Sequence, residues 1–470
     1  MFTSEATAMA RVNDGGRHGH GAPPFIEETS VLVDSQCYEI MASIDPRCSD
    51  LVEGWSRSIT DIESRVNLFT EIGEFEESPP PPLFTAATQK VRDTLREKIG
   101  TVQMMSFDHE LSDVPIQKDS HPGLYYTKKT KGECISEGMQ QANGLANRIF
   151  ATERLDRDFV FKECPPDILF ARTQLSQLPQ IKDRAVHGRP LHVILLEGLL
   201  FWPWIQAVLR ADTPISAGLQ PMELYKLLHT LTGALRFHSI DYRSFDKSTA
   251  SWEVENAMNL LLSLTTFPSM RERLIGDFLT TNLIHSRLVT PYKRILELKG
   301  FIPSGSYGTF LVGSLINWIR LATLQIETQA TLQYKVLGDD SAIADVDAAL
   351  SLAQVIESLQ RNYPHAKLHE NKCFTGDKIY QIEYLGHCLR SDSLFRPYEK
   401  TLRLLCLPER HPAEHQTAAK FLAAYVDSGC NHIEFLIASR IAAERFGQSP
   451  RSVELAAQDL SLHGRSMRFV

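Results

Sequence analysis

Four acidic residues carry the chain's clearest chemistry. Asp241 and Asp246 frame the segment 241-DYRSFD-246, and Asp339 and Asp340 end a Gly-Asp-Asp triplet far downstream. A carboxylate closing one strand and two more on a neighbouring turn can meet at a single sheet edge. Such a cluster repels itself strongly unless divalent cations occupy it. Oxygen-only ligands favour Mg²⁺ or Mn²⁺ over zinc. Two such ions roughly 3.5–4 Å apart can activate a hydroxyl nucleophile and stabilise the leaving oxygen of an in-line displacement. Taken singly, each piece is ordinary, because Asp-x4-Asp arises by chance and Gly-Asp-Asp is a common hairpin turn.

The surrounding pattern supplies the elements that must position these groups. Segment 222-MELYKLLHTLTGALR-236 has helical apolar spacing, and 237-FHSID-241 reads as a strand ending on Asp241. Residues 333–337 and 341–344 flank the Gly-Asp-Asp triplet as a β-hairpin. Between them, 300-GFIPSGSYGTFLVGSLINWI-319 places Ser304 and Gly305 in a flexible loop that opens a long apolar helix over 311–329. Thr309 lies one turn into that helix. Residues 253–283 read as helical, 345–363 as an amphipathic helix and 378–390 as short strands. Helices follow at 418–429 and 432–447, the last capped by Gly447. Upstream come a loose arm over residues 1–24, the stiff connector 79-PPPP-82 and a helix over 86–100. A basic, aromatic-bearing loop follows at 121-HPGLYYTKKTKGE-133.

Composition narrows the class. With 470 residues, several substructures are expected. A hydrophobic content of 43% against 23% charged residues excludes collagen-like and wholly disordered chains. The 49 Lys and Arg against 57 Asp and Glu give a net charge of −8, so any nucleic acid must meet a local basic surface inside an acidic molecule. Eight cysteines without a CxxC pair point to reduced thiols rather than a disulfide framework. The first residues carry no apolar run of the secretory kind. The apolar stretch over 191–209 is interrupted by Glu197 and Pro203, which predicts a buried core segment and no membrane partner.

Taken in order, Asp-x4-Asp, Ser-Gly-x3-Thr leading into a helix, and Gly-Asp-Asp in a hydrophobic hairpin resemble the palm motifs of viral RNA-dependent RNA polymerases. The wording PSGSYGTFLVGSLINW followed by LGDDS is similar to that of the partitivirus group, small double-stranded RNA viruses with short polymerases. The resemblance is strong from about 121 to 390 and weak outside. It implies an α+β right-hand polymerase with fingers, an antiparallel-sheet palm and a small helical thumb. The implied division is the arm at 1–24, N-terminal region and fingers at 25–220, palm motif A at 221–246, fingers insertion at 247–303, palm motifs B to E at 304–390 and thumb at 391–470.

The same resemblance assigns roles residue by residue. Asp241 and Asp339, with Asp340 adjacent, would hold two Mg²⁺ or Mn²⁺ ions. Lys182 and Arg184, with Arg172 upstream, match the basic fingers motif that grips the triphosphate. An alternating Lys/Arg strand supplies such cations on one face. Asp246, Ser304, Gly305 and Thr309 would contact the nucleotide and template base. Many relatives place Asn four residues after the motif threonine to recognise the ribose. Here that position is Gly313, so the partner of Asp246 falls to Ser314 or Asn317. Lys372 stands where a lysine protonates departing pyrophosphate. Pro122, Gly123 and Leu124 with Lys129 resemble the motif guarding the template's way in, and 384-YLG-386 resembles the hairpin that grips the primer end.

The implied activity is RNA-templated RNA synthesis that replicates and transcribes a double-stranded RNA genome, inside a virion and in a host cytoplasm. Its partners would be template and product RNA, ribonucleoside triphosphates and a capsid protein. A reverse transcriptase would carry a bulky aromatic where Asp246 stands and Tyr-x-Asp-Asp in the hairpin; this chain has 337-LGDD-340. An inactive RNA-binding virion protein is disfavoured because clustered anions beside phosphate impair binding. His18 and His20 read as tail residues, His411 and His415 as surface histidines at a helix start, and Cys373 and Cys388 as core thiols. No Walker phosphate loop occurs.

Overall fold

The computed structural model describes residues 29–61, 76–126, 128–219, 221–289, 295–390, 393–409 and 416–466. The arm at 1–24 and the pairs His18/His20 and His411/His415 lie outside these. A four-stranded antiparallel sheet runs in the order Leu332–Leu337, Asp340–Asp345, Arg236–Ile240, Phe374–Gly376. Leu337 pairs with Asp340, leaving Gly338 and Asp339 as a two-residue loop. Gly338 carries a φ of 60°, on the first loop position, where a hairpin of this length takes glycine. The outer edge is covered by residues 213–216. There the Val336 N–H donates to the Pro214 carbonyl at 2.8 Å and the Ser216 N–H to the Val336 carbonyl at 2.9 Å.

A second four-stranded sheet joins Asp183–Gly188, Asp167–Thr173, His285–Val289 and Ile295–Lys299 in that order. It thereby unites strands from before the palm and from the 247–303 segment. Two long helices form the spine of the main core. Leu191–Arg210 and Thr309–Thr328 are apolar and long enough to cross a membrane, yet 78% and 83% of their most apolar windows are buried inside the fold. Thr309–Thr328 packs on Phe84–Lys98, on Ser251–Ser263 and on the first hairpin strand.

Several elements depart from the sequence expectation; over 378–390, expected as short strands, Ile379–Gln381 is a 3-10 turn and only Cys388–Leu389 is a strand. The helix over 222–236 ends at His229, because Thr230 and Thr232 turn their hydroxyls back onto the Leu227 and His229 carbonyls at 2.6 and 2.8 Å. The amphipathic helix starts at Leu352, not at residue 345, where Ser351 and Gln354 form a reciprocal cap. Residues 34–52 pack with the C-terminal helices. The helices Ser35–Ile44 and Cys48–Val52 bury Cys37, Ile40, Met41 and Cys48 against Leu402, Cys406, Phe421 and Phe435 of the C-terminal helices. The chain then pairs Trp55–Ser56 with Ser176–Gln177 in a separate two-stranded sheet beside the second four-stranded one. Thr60 donates to the Asp183 carboxylate at 2.8 Å.

Candidate active site

The sheet brings the acidic residues together. Asp241 follows Ile240, which pairs with Ser341, so Asp241 lies beside the hairpin tip. Its backbone is fixed on both sides. The His369 N–H donates to the Asp241 carbonyl at 2.9 Å, and the Asp241 N–H points at Cys373 Sγ at 3.5 Å. Alongside, Tyr242 bridges Leu368 and the Arg243 N–H donates to the Lys367 carbonyl at 2.8 Å. This antiparallel run delivers Lys372, whose Nζ stands 3.9 Å from Asp241 Oδ2.

Electrostatics register the convergence. Loss of water and then the neighbouring Asp241 push the Asp339 carboxyl above its ordinary range, while Arg184 pulls it down. Burial and Asp339 raise Asp246 to about 7, against Arg184 and Lys247. A buried carboxylate raised by a neighbouring one is relieved by a cation, and Mg²⁺ is commonly bound through one or two carboxylates plus substrate phosphates. The hard-oxygen donors of Asp241 and Asp339 fit that chemistry. Among the described residues no group of three or more His, Cys, Asp or Glu side chains is placed to hold a metal ion. Asp340 opens the second hairpin strand and is exposed.

The glycine loop leans on the basic strand. Ser304 Oγ donates to the Ala185 carbonyl at 3.1 Å. A Cβ on Gly305 would sit 1.8 Å from the His187 carbonyl oxygen, so glycine is required there. Thr309 does not reach outward; its hydroxyl closes the loop on the Pro303 and Ser306 carbonyls at 2.6 and 2.8 Å. From below, Glu197 Oε2 accepts from the Tyr307 N–H at 2.8 Å while Oε1 lies 3.2 Å from Arg189 Nε. Arg184 pairs across the strands with Arg172, and Lys182 and Arg184 are exposed. Arg172 is engaged elsewhere, its Nε 2.9 Å from the Glu409 carboxylate.

Ser314 and Asn317, expected between them to meet a ribose, are both fully buried and turned onto the catalytic hairpin. Ser314 Oγ accepts from the Gly338 N–H at 2.8 Å, and Asn317 Nδ2 donates to the Gly338 and Asp339 carbonyls at 2.9 and 3.1 Å. Helical spacing alone could not tell which neighbour those side chains face.

The loop at 122–126 is clamped to the start of the Leu191–Arg210 helix. Pro122 accepts from the Leu191 N–H at 2.8 Å, and Gly123, at φ 96°, lies against the Pro190 backbone. Leu124 is buried, and the Tyr126 hydroxyl accepts from the His192 N–H at 2.8 Å. Lys129 and Lys131 face a cavity of about 1010 Å³ walled by Arg172, Ser304, Gly305 and Glu409.

One network escaped sequence reasoning. Arg320 makes two 2.8 Å bonds to Glu253, and His365 Nε2 adds a third contact at 2.9 Å. The guanidinium lies over Tyr242, Phe245 and Tyr363, tying the Asp241 segment to the helix behind it. The signal was present, since Arg320 is the lone charge in the apolar run 309–326 and such a charge must be paired.

Comparison with known proteins agrees with this geometry. A sequence model described as viral RNA-dependent RNA polymerase matches residues 48–434, so the chain belongs to that family and is an RNA-dependent RNA polymerase. Among solved structures it is similar to the RNA-dependent RNA polymerase of a human picobirnavirus, with TM-score 0.66 and 15% identity over 99% of this chain and 92% of that one. An insertion-loop deletion mutant of that enzyme aligns with TM-score 0.65 and 16% identity, over 94% of this chain and 91% of the other. A search of curated proteins found no match. The architecture is that of a right-hand polymerase.

Proposed function

We propose that this polymerase joins ribonucleotides through a site in which Asp241 and Asp339 hold two divalent cations, with Asp340 adjacent. The observation that carries this reading is the placement of Asp241, one residue past the Ile240–Ser341 pair, beside the loop that bears Asp339. Bound Mg²⁺ or Mn²⁺ would supply activation of the 3′-hydroxyl and charge stabilisation on the leaving phosphate. The chain's own groups do the rest. Lys182 and Arg184 bind the triphosphate, and Arg172 joins them once released from Glu409. Asp246 accepts from the ribose 2′-hydroxyl. Ser304 and Gly305 support the template base, and the Pro122–Leu124 loop with Lys129 guides the strand inward. Lys372 gives its proton to departing pyrophosphate.

The wording around Ser304 and Asp339 supports a place near the partitivirus group, with a double-stranded RNA genome copied inside a virion and a capsid protein as partner. Incorporation of rNTP and dNTP on an RNA template, with and without Mg²⁺, tests the reading. Wild type should need Mg²⁺ and prefer rNTP, and Asp339→Ala should lose several powers of ten in rate, each about 1.4 kcal/mol of barrier. Equal activity in the two proteins refutes the metal assignment, and a preference for dNTP makes the enzyme a reverse transcriptase.

A further inference from the structure

The Gly338–Asp339 loop has only backbone to hold it in place, yet its carboxylate must be aimed to within a fraction of an ångström. Its three inward polar groups are all taken by one helix: the Gly338 N–H by Ser314, and the Gly338 and Asp339 carbonyls by the single amide of Asn317. Position 313, on the same face of the helix, is glycine. A Cβ there would lie 3.6 Å from Gly338 Cα, so any longer side chain would press on the loop. Asn317 is specified by its donors rather than by complementarity all round, since its Oδ1 is buried with no hydrogen-bond partner. A buried acceptor left unpaired is costly, and the residue is kept in a site with no exposure to solvent.

We propose that Ser314 and Asn317 are positioning residues for catalysis. They hold the backbone of the Gly-Asp-Asp loop so that Asp339 faces Asp241, and they take no part in ribose recognition. The inference rests on the metal-binding reading of Asp241 and Asp339 only for its third readout, Mn²⁺ binding. Asn317→Leu keeps the γ-branched outline at a larger volume and removes both donated bonds, whereas Ser314→Ala removes the single accepted one.

Three measurements separate the readings. The first is steady-state incorporation, resolved into kcat and KM for the nucleotide. The second is the rNTP/dNTP preference. The third is Mn²⁺ binding to the RNA-free protein, followed by paramagnetic resonance with wild type and Asp339→Ala as references. A misplaced carboxylate predicts kcat lowered about 10²-fold for Asn317→Leu with KM little changed. Ser314→Ala should show a smaller fall. The sugar preference should stay intact, and Mn²⁺ affinity should move toward that of Asp339→Ala. Collapse of the sugar preference with kcat and Mn²⁺ binding retained overturns the proposal in favour of ribose contact. A lowered melting temperature with kcat and Mn²⁺ affinity unchanged overturns it in favour of mere packing. If Asn317→Leu does not fold, Ser314→Ala decides by the same criteria. If wild type itself binds no Mn²⁺, the metal reading fails, and the split between kcat and sugar preference still tests the positioning role.

Discussion

Replacing Glu253 by Gln removes one charge from a fully buried ion pair while keeping its shape. Burial alone would raise the Glu253 carboxyl, but the Arg320 guanidinium and the His365 contact overcome that and hold it at about 2, against an ordinary value of 4.5. A displacement of that size is worth about 3 kcal/mol of folding stability. Because the folded value lies below the unfolded one, the contribution is complete above pH 4.5 and fades as the pH falls toward about 2. In Glu253→Gln the buried Arg320 keeps its charge without a counter-ion, a change that costs about 3–5 kcal/mol in comparable sites. Urea unfolding of wild type and variant across pH 7 to 3 measures the difference directly. It should be several kcal/mol at neutral pH and shrink on acidification, as wild type loses what the variant never had. A gap under about 1 kcal/mol at pH 7, or one that stays constant down to pH 3, refutes the assignment of Arg320 and Glu253 as a keystone pair. At a temperature where the variant is folded, incorporation should also slow, because Arg320 supports the Tyr242 and Phe245 rings that flank Asp241.

Gly305→Ala should be nearly inactive while remaining folded. Its methyl group cannot coexist with the His187 carbonyl oxygen 1.8 Å away, so the loop must leave the strand, and single-turnover incorporation at fixed RNA occupancy reads the loss. Unchanged turnover would mean that the loop's seat on the strand is irrelevant. Lys372→Ala should lower kcat with little change in RNA affinity, and the loss should be smaller for nucleotide analogues whose leaving group needs no protonation. A pure loss of affinity would leave Lys372 as a charge contact near Asp241 and nothing more.

The sequence revealed this centre because its parts obey local rules. The Asp241 strand and the hairpin were legible from apolar runs broken by a Gly-containing turn, and the Thr309–Thr328 helix from a continuous apolar stretch after a glycine loop. Roles that depend on which neighbour a side chain faces were not legible. Ser314 and Asn317 had the right types and spacing to meet a ribose, and only the packing of their helix under Gly338 turns them onto the hairpin. Arg172 reads as a phosphate ligand in one dimension, but folding places Glu409 beside it from more than two hundred positions away. Glu253, Arg320 and His365 were invisible as a set for the same reason, and only Arg320 stands singly among apolar neighbours.

The N-terminal crossing explains how an acidic chain encloses a basic channel. The cavity holding Lys129, Lys131 and Arg172 lies between two separately packed cores, so something must hold the walls in register. The ion pair from Arg172 to Glu409 spans the gap, but Arg172 is 56% exposed, and pairs of that kind contribute about 1 kcal/mol or less. Residues 34–60 do more. They bury Cys37, Ile40, Met41 and Cys48 in the C-terminal core, then add strand pairing at Trp55–Ser56 and the Thr60 bond to Asp183 on the other side. Burying several such side chains is worth several times the exposed ion pair. The register of the cavity's walls is therefore carried by the hydrophobic strap, and the exposed ion pair between them adds little.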